Sequence, residues 1–276
     1  MEYIITIPEN PEKEELEKVI KALLDFLPLH AIYLSLNDNS FSPNTIITLR
    51  LSKELEIDAM DVKPFVSRLF KNYPKFSYTL FEHWWAVDLW DAGSLFLMNH
   101  ATGDKLAYSL EPSDKAFRLK NNKVTRKRIR NAKNEYALLD GYAYICSIYS
   151  RWLRQAGNCL LAAFHIHQAI KFSFQKAELI LMGEYLASQG LKEHQLYLAE
   201  FYPEFGVFFA NQNKGEYAIL KLLDDSFRIV RYQNEITLNI TEEMFLLAIT
   251  RTEQILTKVH EIFNHWTSVC KWKIKN

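Results

Sequence analysis

The chain has 276 residues and a mass of 32.4 kDa, and 49% of its residues are hydrophobic and 24% charged. This composition is typical of a globular protein and excludes disordered and collagen-like chains, while the length predicts two domains. The most apolar stretch, residues 160–182, contains His165, Lys171 and Glu178, so we expect no membrane-spanning helix.

The charge is balanced overall but unevenly distributed along the chain. Residues 1–114 carry 10 basic and 18 acidic side chains, residues 115–134 carry nine basic and none acidic, and residues 135–276 carry 14 and 15. The basic segment, residues 115–134, predicts either a solvated linker or helix start, or a contact with phosphate groups. Three widely spaced cysteines and an acidic start without a basic leader predict a cytoplasmic protein.

The first part of the chain is predicted to be a small mixed α/β domain with four or five strands. Turn-forming residues separate runs that are β-branched or aliphatic from runs with apolar residues at helical spacing. The strands are predicted at residues 3–7, 30–36, 45–51, 76–81 and 105–109, and the helices at residues 11–27, 58–73 and 83–100.

The second part is predicted to contain only helices, which pack as an antiparallel bundle. Glycines fall between the helical segments, and Thr241 is placed as a helix N-cap. The helices are predicted at residues 136–155, 159–183, 191–202, 216–234 and 241–266. The predicted fold is therefore α+β, with an α/β domain at residues 1–112, a basic linker at 113–134 and a helical bundle at 135–276.

Three stretches of the second part resemble, in order, helices of the HEPN domain. They are LLAAFHIHQAIKFSFQKAELILMG, HQLYLAEFYPEF and EYAILKLLDDSFRIVRYQNEITLNITEE, within residues 135–266. In one subgroup of that family a domain similar to the polymerase-beta-like nucleotidyltransferases precedes the bundle. The order of elements in residues 1–112 matches it, and ATGDKLAYS looks like its last strand.

The resemblance implies two folds whose catalytic residues are missing from this sequence. Active nucleotidyltransferases need a Gly-Ser turn and two carboxylates for metal-assisted phosphoryl transfer. Here Leu36 and Asn37 occupy the turn, no acidic residue occurs between Asn39 and Lys53, and only Asp88 matches a carboxylate. Active HEPN ribonucleases carry a His shortly after an Arg, and none follows Arg228 or Arg231 at that spacing. We therefore expect a catalytically degenerate protein with no catalytic residue, metal or cofactor.

The candidate ligand-binding residues are polar positions on predicted helices. Arginines at positions i and i+3 share a helix face and can hold one phosphate or carboxylate. Instead of binding a ligand, these arginines can form salt bridges with neighbouring acidic residues. His167 can likewise form a hydrogen bond inside the bundle. The candidates are Arg228, Arg231, Tyr232, His167 and Gln168, with possible phosphate contacts at Arg126, Lys127, Arg128 and Arg130.

These features predict a protein that binds a nucleotide or RNA phosphate, in a defence or toxin–antitoxin-like setting that the resemblance implies. Two alternatives stay open. One is an active nucleotidyltransferase using Asp88 or a ribonuclease using Arg231, and the other is a pure protein-interaction module. We also expect a homo-oligomer formed by the helical part, because Phe172, Phe174 and Tyr185 are aromatic residues predicted to be exposed.

Overall fold

The computed structural model describes residues 4–36, 44–54, 58–110, 124–209, 213–232 and 238–275. It divides into two compact units. The sheet unit comprises Met1–Ala132 and Thr267–Asn276, and the helical unit comprises Lys133–Trp266. The predicted mixed α/β fold, with a small sheet followed by a helical region, is confirmed.

The sheet unit is built on four strands in the order β3-β2-β1-β4. Strand β1 pairs antiparallel with β2 and β4, whereas β2 and β3 are parallel. The sheet unit also contains helices α1 to α4 and a short 3-10 turn before β4. In chain order the elements are α1 (Lys13–Phe26), β1 (Leu29–Ser35), β2 (Thr45–Leu51), α2 (Ala59–Phe70), β3 (Phe76–Phe81), α3 (His83–Ala92), α4 (Leu95–His100) and β4 (Leu106–Ser109).

The core of the sheet unit is formed by the apolar faces of α1 and α2 and by the sheet. Leu16, Ile20 and Leu23 of α1 are fully buried against a cluster that includes Ile32 of β1 and Val66 of α2. All residues of β1 and β2 are buried, as expected for the two central strands of a covered sheet. Their apolar runs in the sequence therefore reflect burial on both faces.

Two predictions for the sheet unit are wrong. The apolar run at residues 83–100 forms two helices, because Gly93 adopts a left-handed conformation with φ 95° and ends α3, and Ser94 then caps α4. The predicted strand at residues 3–7 is not formed by its described residues 4–7. Thr6 makes a single backbone hydrogen bond, donating from its N–H to the Ala107 carbonyl over 2.8 Å.

The helical unit is made from five long helices, two of which continue into the sheet unit. Their bounds are α5 (Arg126–Gln155), α6 (Cys159–Met182), α7 (Leu191–Phe201), α8 (Lys214–Tyr232) and α9 (Glu242–Lys275). Helix α6 is the central one, since most of its residues are buried on all sides. The Thr241 hydroxyl accepts a hydrogen bond from the Met244 N–H over 3.2 Å, which confirms the predicted N-cap.

The boundary between the two units falls after Ala132, within the segment predicted as a basic linker, and the local structure there is helical. Helix α5 begins at Arg126, so residues 126–134 are a helix start and not a linker. The end of α9 belongs to the sheet unit, where Lys273 donates to the Met98 carbonyl over 3.1 Å. Residues 115–123 of the basic segment, and Asn37 of the expected Gly-Ser turn, lie outside the described residues. The nucleotidyltransferase-like and HEPN identities of the two domains stay predictions.

Candidate functional site

His167 and Gln168 belong to a hydrogen-bonded network inside the helical unit. The buried His167 ring lies 4.8 Å from the ring of Phe227, measured between centroids, and its Nε2 donates to the Gln189 carbonyl over 3.0 Å. Its Nδ1 lies 3.0 Å from Nε2 of Gln168, which donates to it. Burial lowers the pKa of His167, so the ring is neutral with its proton on Nε2. Both ring nitrogens are therefore engaged by protein atoms.

The same network holds the segment between α6 and α7 in place. Asp224 of α8 lies 3.3 Å from His167 Nε2 and accepts a hydrogen bond from the Leu191 N–H, at the first turn of α7. Lys171 donates to the side-chain oxygen of Gln189 over 2.5 Å. The predicted ligand residue His167 thus has a structural task, which is to connect α6, α8 and the entry to α7.

A second buried pair, which the sequence did not single out, lies in the same region. His194 Nδ1 is 2.7 Å from Glu178 Oε1, and both side chains are fully buried. His194 Nε2 donates to the Ser188 carbonyl, and Glu178 Oε2 accepts from the Leu186 N–H over 3.0 Å. Burial raises the pKa of Glu178, and the bonds from His194 and Leu186 oppose that rise. Because each of these groups has protein partners, the pair secures the α6–α7 segment.

The arginines at the end of α8 differ in what they contact. Arg228 lies 3.3 Å from Asp225, which confirms a salt bridge of the kind expected as the alternative to ligand binding. Arg231 and Tyr232 are exposed in the last turn, and Arg231 makes no ion pair with any residue that the structure describes. Of these two guanidinium groups, that of the exposed Arg231 is therefore the better candidate for an anion contact.

The basic residues at the start of α5 also divide into two groups. Arg128 donates to the Trp90 carbonyl and to Asp91 over 3.1 and 2.7 Å, and its guanidinium lies over the Trp90 ring. It therefore ties α5 to the end of α3. By contrast, Arg126, Lys127 and Arg130 are exposed. These three remain possible phosphate contacts, whereas the Arg128 side chain is used within the sheet unit.

The largest exposed apolar surface of the helical unit lies along α5. We define the α5 stripe as Leu138, Tyr142, Ile145, Ile148, Tyr149 and Trp152, each of which is between 47% and 61% exposed. Five of the six follow one another at intervals of four and three residues, so they lie along one side of the helix. Monomeric proteins rarely expose so many large apolar side chains in a single row.

The opposite face of α5 explains why the apolar side chains point outward. Ala143, Ser147 and Ser150 are buried there and are separated by four and three residues. Small residues let α5 lie close to its neighbours, and the hydroxyl of Ser150 donates to the Ser147 carbonyl over 2.7 Å. Helix α5 thus buries small residues on this face and leaves large apolar side chains about half exposed on the other.

The charged residues of this part of α5 are paired with other helices. Asp140 binds the buried Lys176 of α6 over 2.5 Å, Arg151 pairs with Glu253 and Arg154 pairs with Glu242, both of α9. The six residues of the α5 stripe contain no charged side chain. Ring contacts of Tyr142 with Phe172 and of Tyr149 with His165 hold part of the stripe against α6. The result is a largely uncharged apolar band with ordered aromatic side chains.

The residues expected to mediate self-association lie elsewhere. Phe174 is fully buried and Phe172 is partly buried, so the exposure expected for Phe174 is wrong, whereas Tyr185 is exposed. From the sequence, a helix was predicted at residues 136–155, and neither of its faces was assigned to the core. The spacing of Ala143, Ser147 and Ser150, at intervals of four and three residues, is the signal that marks a second face of small residues.

Within the described ranges, no group of three or more His, Cys, Asp or Glu side chains is placed to hold a metal ion, and Asp88 lies exposed on α3. None of the helices in the described part of the chain is both long and apolar enough to cross a membrane. No protein-family model matches this sequence, and no curated protein matches it.

Proposed function

We propose that this chain acts by binding, and that its helical unit is a protein-interaction module whose contact surface is the α5 stripe. The observation that carries the proposal is the row of five half-exposed apolar side chains along one side of α5, with Ile148 beside it. Such side chains, the aromatic ones above all, supply most of the binding energy at protein interfaces. Protein interaction, which was one of the alternative functions predicted from the sequence, is therefore the function that we favour.

The catalytic alternatives have less support. A nucleotidyltransferase site built on Asp88 needs further carboxylates, and the described residues contain no cluster of metal ligands. A ribonuclease site built on Arg231 needs a neighbouring base. A degenerate nucleotidyltransferase-like and HEPN architecture remains our proposal for the evolutionary origin, and the order of a small sheet followed by five long helices supports it.

The contact surface can be tested without knowing the partner. Hydroxyl-radical labelling in cells that express the chain reports whether each aromatic side chain is covered. Trp152 and Tyr149 should be labelled several-fold less in cells than in the purified chain at nanomolar concentration. Trp84, which is 65% exposed against 61% for Trp152, is the internal control and should be labelled equally in both samples. Equal labelling of Trp152 in both samples would refute the proposal.

A second candidate function is binding of a nucleotide or RNA phosphate, which the exposed Arg231 and Tyr232 favour. A guanidinium forms charge-assisted bonds with phosphate, and an adjacent phenol ring offers a stacking surface. The exposed Arg126, Lys127 and Arg130 provide further positive charge on the sheet unit. A titration with a short fluorescent RNA at low and high salt tests this function, since phosphate binding must weaken as salt increases.

A further inference from the structure

The exposed area of the α5 stripe is close to the area that each partner contributes to a stable protein interface. Each of its six side chains is about half exposed, and large side chains bury about 150–250 Å² when covered, so the stripe offers about 600 Å². A stable interface needs about 800 Å² per partner. The stripe thus supplies about three quarters of that area from one helix, and the neighbouring Tyr144, which is 61% exposed, adds to it.

The spacing of the stripe fits another helix with the same spacing. Positions 138, 142, 145, 149 and 152 alternate intervals of four and three, which is the pattern by which two helices pack side by side over several turns. A second copy of α5 carries this pattern by definition. A symmetric pair also covers the stripes of both copies at once, so that no apolar surface is left over.

We propose that the partner of the α5 stripe is a second copy of this chain, and that the two α5 helices pair antiparallel about a two-fold axis near the middle of the stripe. This inference rests on the proposed function. In such a pair Tyr142 lies beside the partner's Trp152, and Ile145 lies beside the partner's Tyr149. Each layer then combines two different side chains, and Ile145 fills the space next to an aromatic ring.

Charge and dipole both favour the antiparallel direction. The first turn of α5 carries the exposed Arg126, Lys127 and Arg130. A parallel pair brings these turns together at one end, where like charges repel, whereas an antiparallel pair places them at opposite ends. The helix dipoles of an antiparallel pair also run in opposite directions, so the two positive helix ends are kept apart. The charged residues nearest the stripe, Asp140 and Arg151, are already paired within their own copy.

Thiol crosslinking of the full chain tests both the partner and the direction. The background is Cys146→Ser with Cys159→Ser, since Cys270 is fully buried and can stay. Leu138→Cys and the exposed Ala156→Cys, which the same register places beside each other across the pair, are each made in this background without changing Trp152. One of the two carries an affinity tag, so that mixed and like products differ in mobility. The parent should sediment at about twice 32.4 kDa at micromolar concentration.

The antiparallel pair predicts at least fivefold more crosslinked product in the mixture than with either variant alone. The reason is that about 18 residues, or about 27 Å of helix, separate like positions in that arrangement. Tyr217→Cys, on an exposed position of α8, is the control and should give no product. More product from each variant alone would overturn the antiparallel direction. A monomeric parent would overturn self-association, and if Trp152 is nevertheless covered in cells, the proposed function stands with a different partner.

Discussion

Replacing Trp152 by alanine should weaken self-association strongly and leave the fold intact. Trp152 is 61% exposed, which corresponds to about 150 Å² of indole surface. At about 25 cal/mol per Å², full coverage is worth about 4 kcal/mol, and half coverage about 2 kcal/mol. A two-fold pair contains the residue twice, so Trp152→Ala should cost about 4 kcal/mol of association free energy, close to a thousandfold in the dissociation constant.

The assay is sedimentation over a concentration series, with urea unfolding of the dilute monomer beside it. Exposed substitutions change monomer stability by no more than about 0.5 kcal/mol, so the unfolding midpoint should stay near that of the parent. Trp84→Ala removes an equally exposed indole outside the stripe and should leave association unchanged. The reasoning is refuted if Trp152→Ala associates like the parent, or if both variants are weakened equally.

Three further predictions concern single residues. Gly93→Ala should lower the free energy of unfolding of the sheet unit by at least about 2 kcal/mol. The reason is that φ of Gly93 is 95° and that an added Cβ would lie 2.4 Å from the Arg128 carbonyl oxygen. Urea unfolding of the variant and the parent measures this difference. Burial lowers the pKa of His167, so its contribution to stability is present above pH 6.5 and lost on acidification. Between pH 7 and 5, urea midpoints should therefore fall more steeply for the parent than for His167→Gln. Arg231→Ala should weaken RNA binding by about 1.5–3 kcal/mol in a fluorescence titration, and Arg228→Ala by less.

Each of these predictions has its own control or contrary outcome. Gly103→Ala changes a glycine with open space around it and should leave stability nearly unchanged. Identical pH profiles for the parent and His167→Gln would mean that His167 is not held neutral by burial. If Arg231→Ala binds RNA like the parent, the phosphate contact lies elsewhere, and a combined change of Arg126, Lys127 and Arg130 becomes the next test.

Much of the secondary structure was predictable because it depends on local patterns. The strands at 45–51 and 76–81 and the helices α6 and α7 were predicted to within a residue or two, since apolar spacing and glycine stops mark them. The break at Gly93 was not predicted, because an apolar run on both sides conceals it. What requires glycine there is the close approach of the Arg128 backbone, which is a tertiary contact.

In the candidate site, too, the sequence indicated the residues, whereas the tertiary structure determined their partners. His167 was singled out because, next to Gln168, it matches the His-Gln pair that the resemblance implies. Its partners Gln189 and Asp224 lie 22 and 57 positions away in sequence, and only folding brings them together. Arg228 and Arg231 have the same residue type on the same helix face. Arg228 pairs with Asp225 of the same helix, whereas the other acidic neighbour, Asp224, lies beside His167 and accepts from the Leu191 N–H, which are tertiary contacts.

For α5 the sequence by itself determined a helix with large apolar residues on one side and small ones on the other. It did not determine which side faces the bundle, because burial of apolar surface normally selects the large residues for the core. The tertiary structure decided the opposite, since Ala143, Ser147 and Ser150 are buried, and Asp140 and Arg151 on the same side of α5 pair with Lys176 of α6 and Glu253 of α9. The side chains with the most apolar surface thereby remain outside, where another chain can cover them.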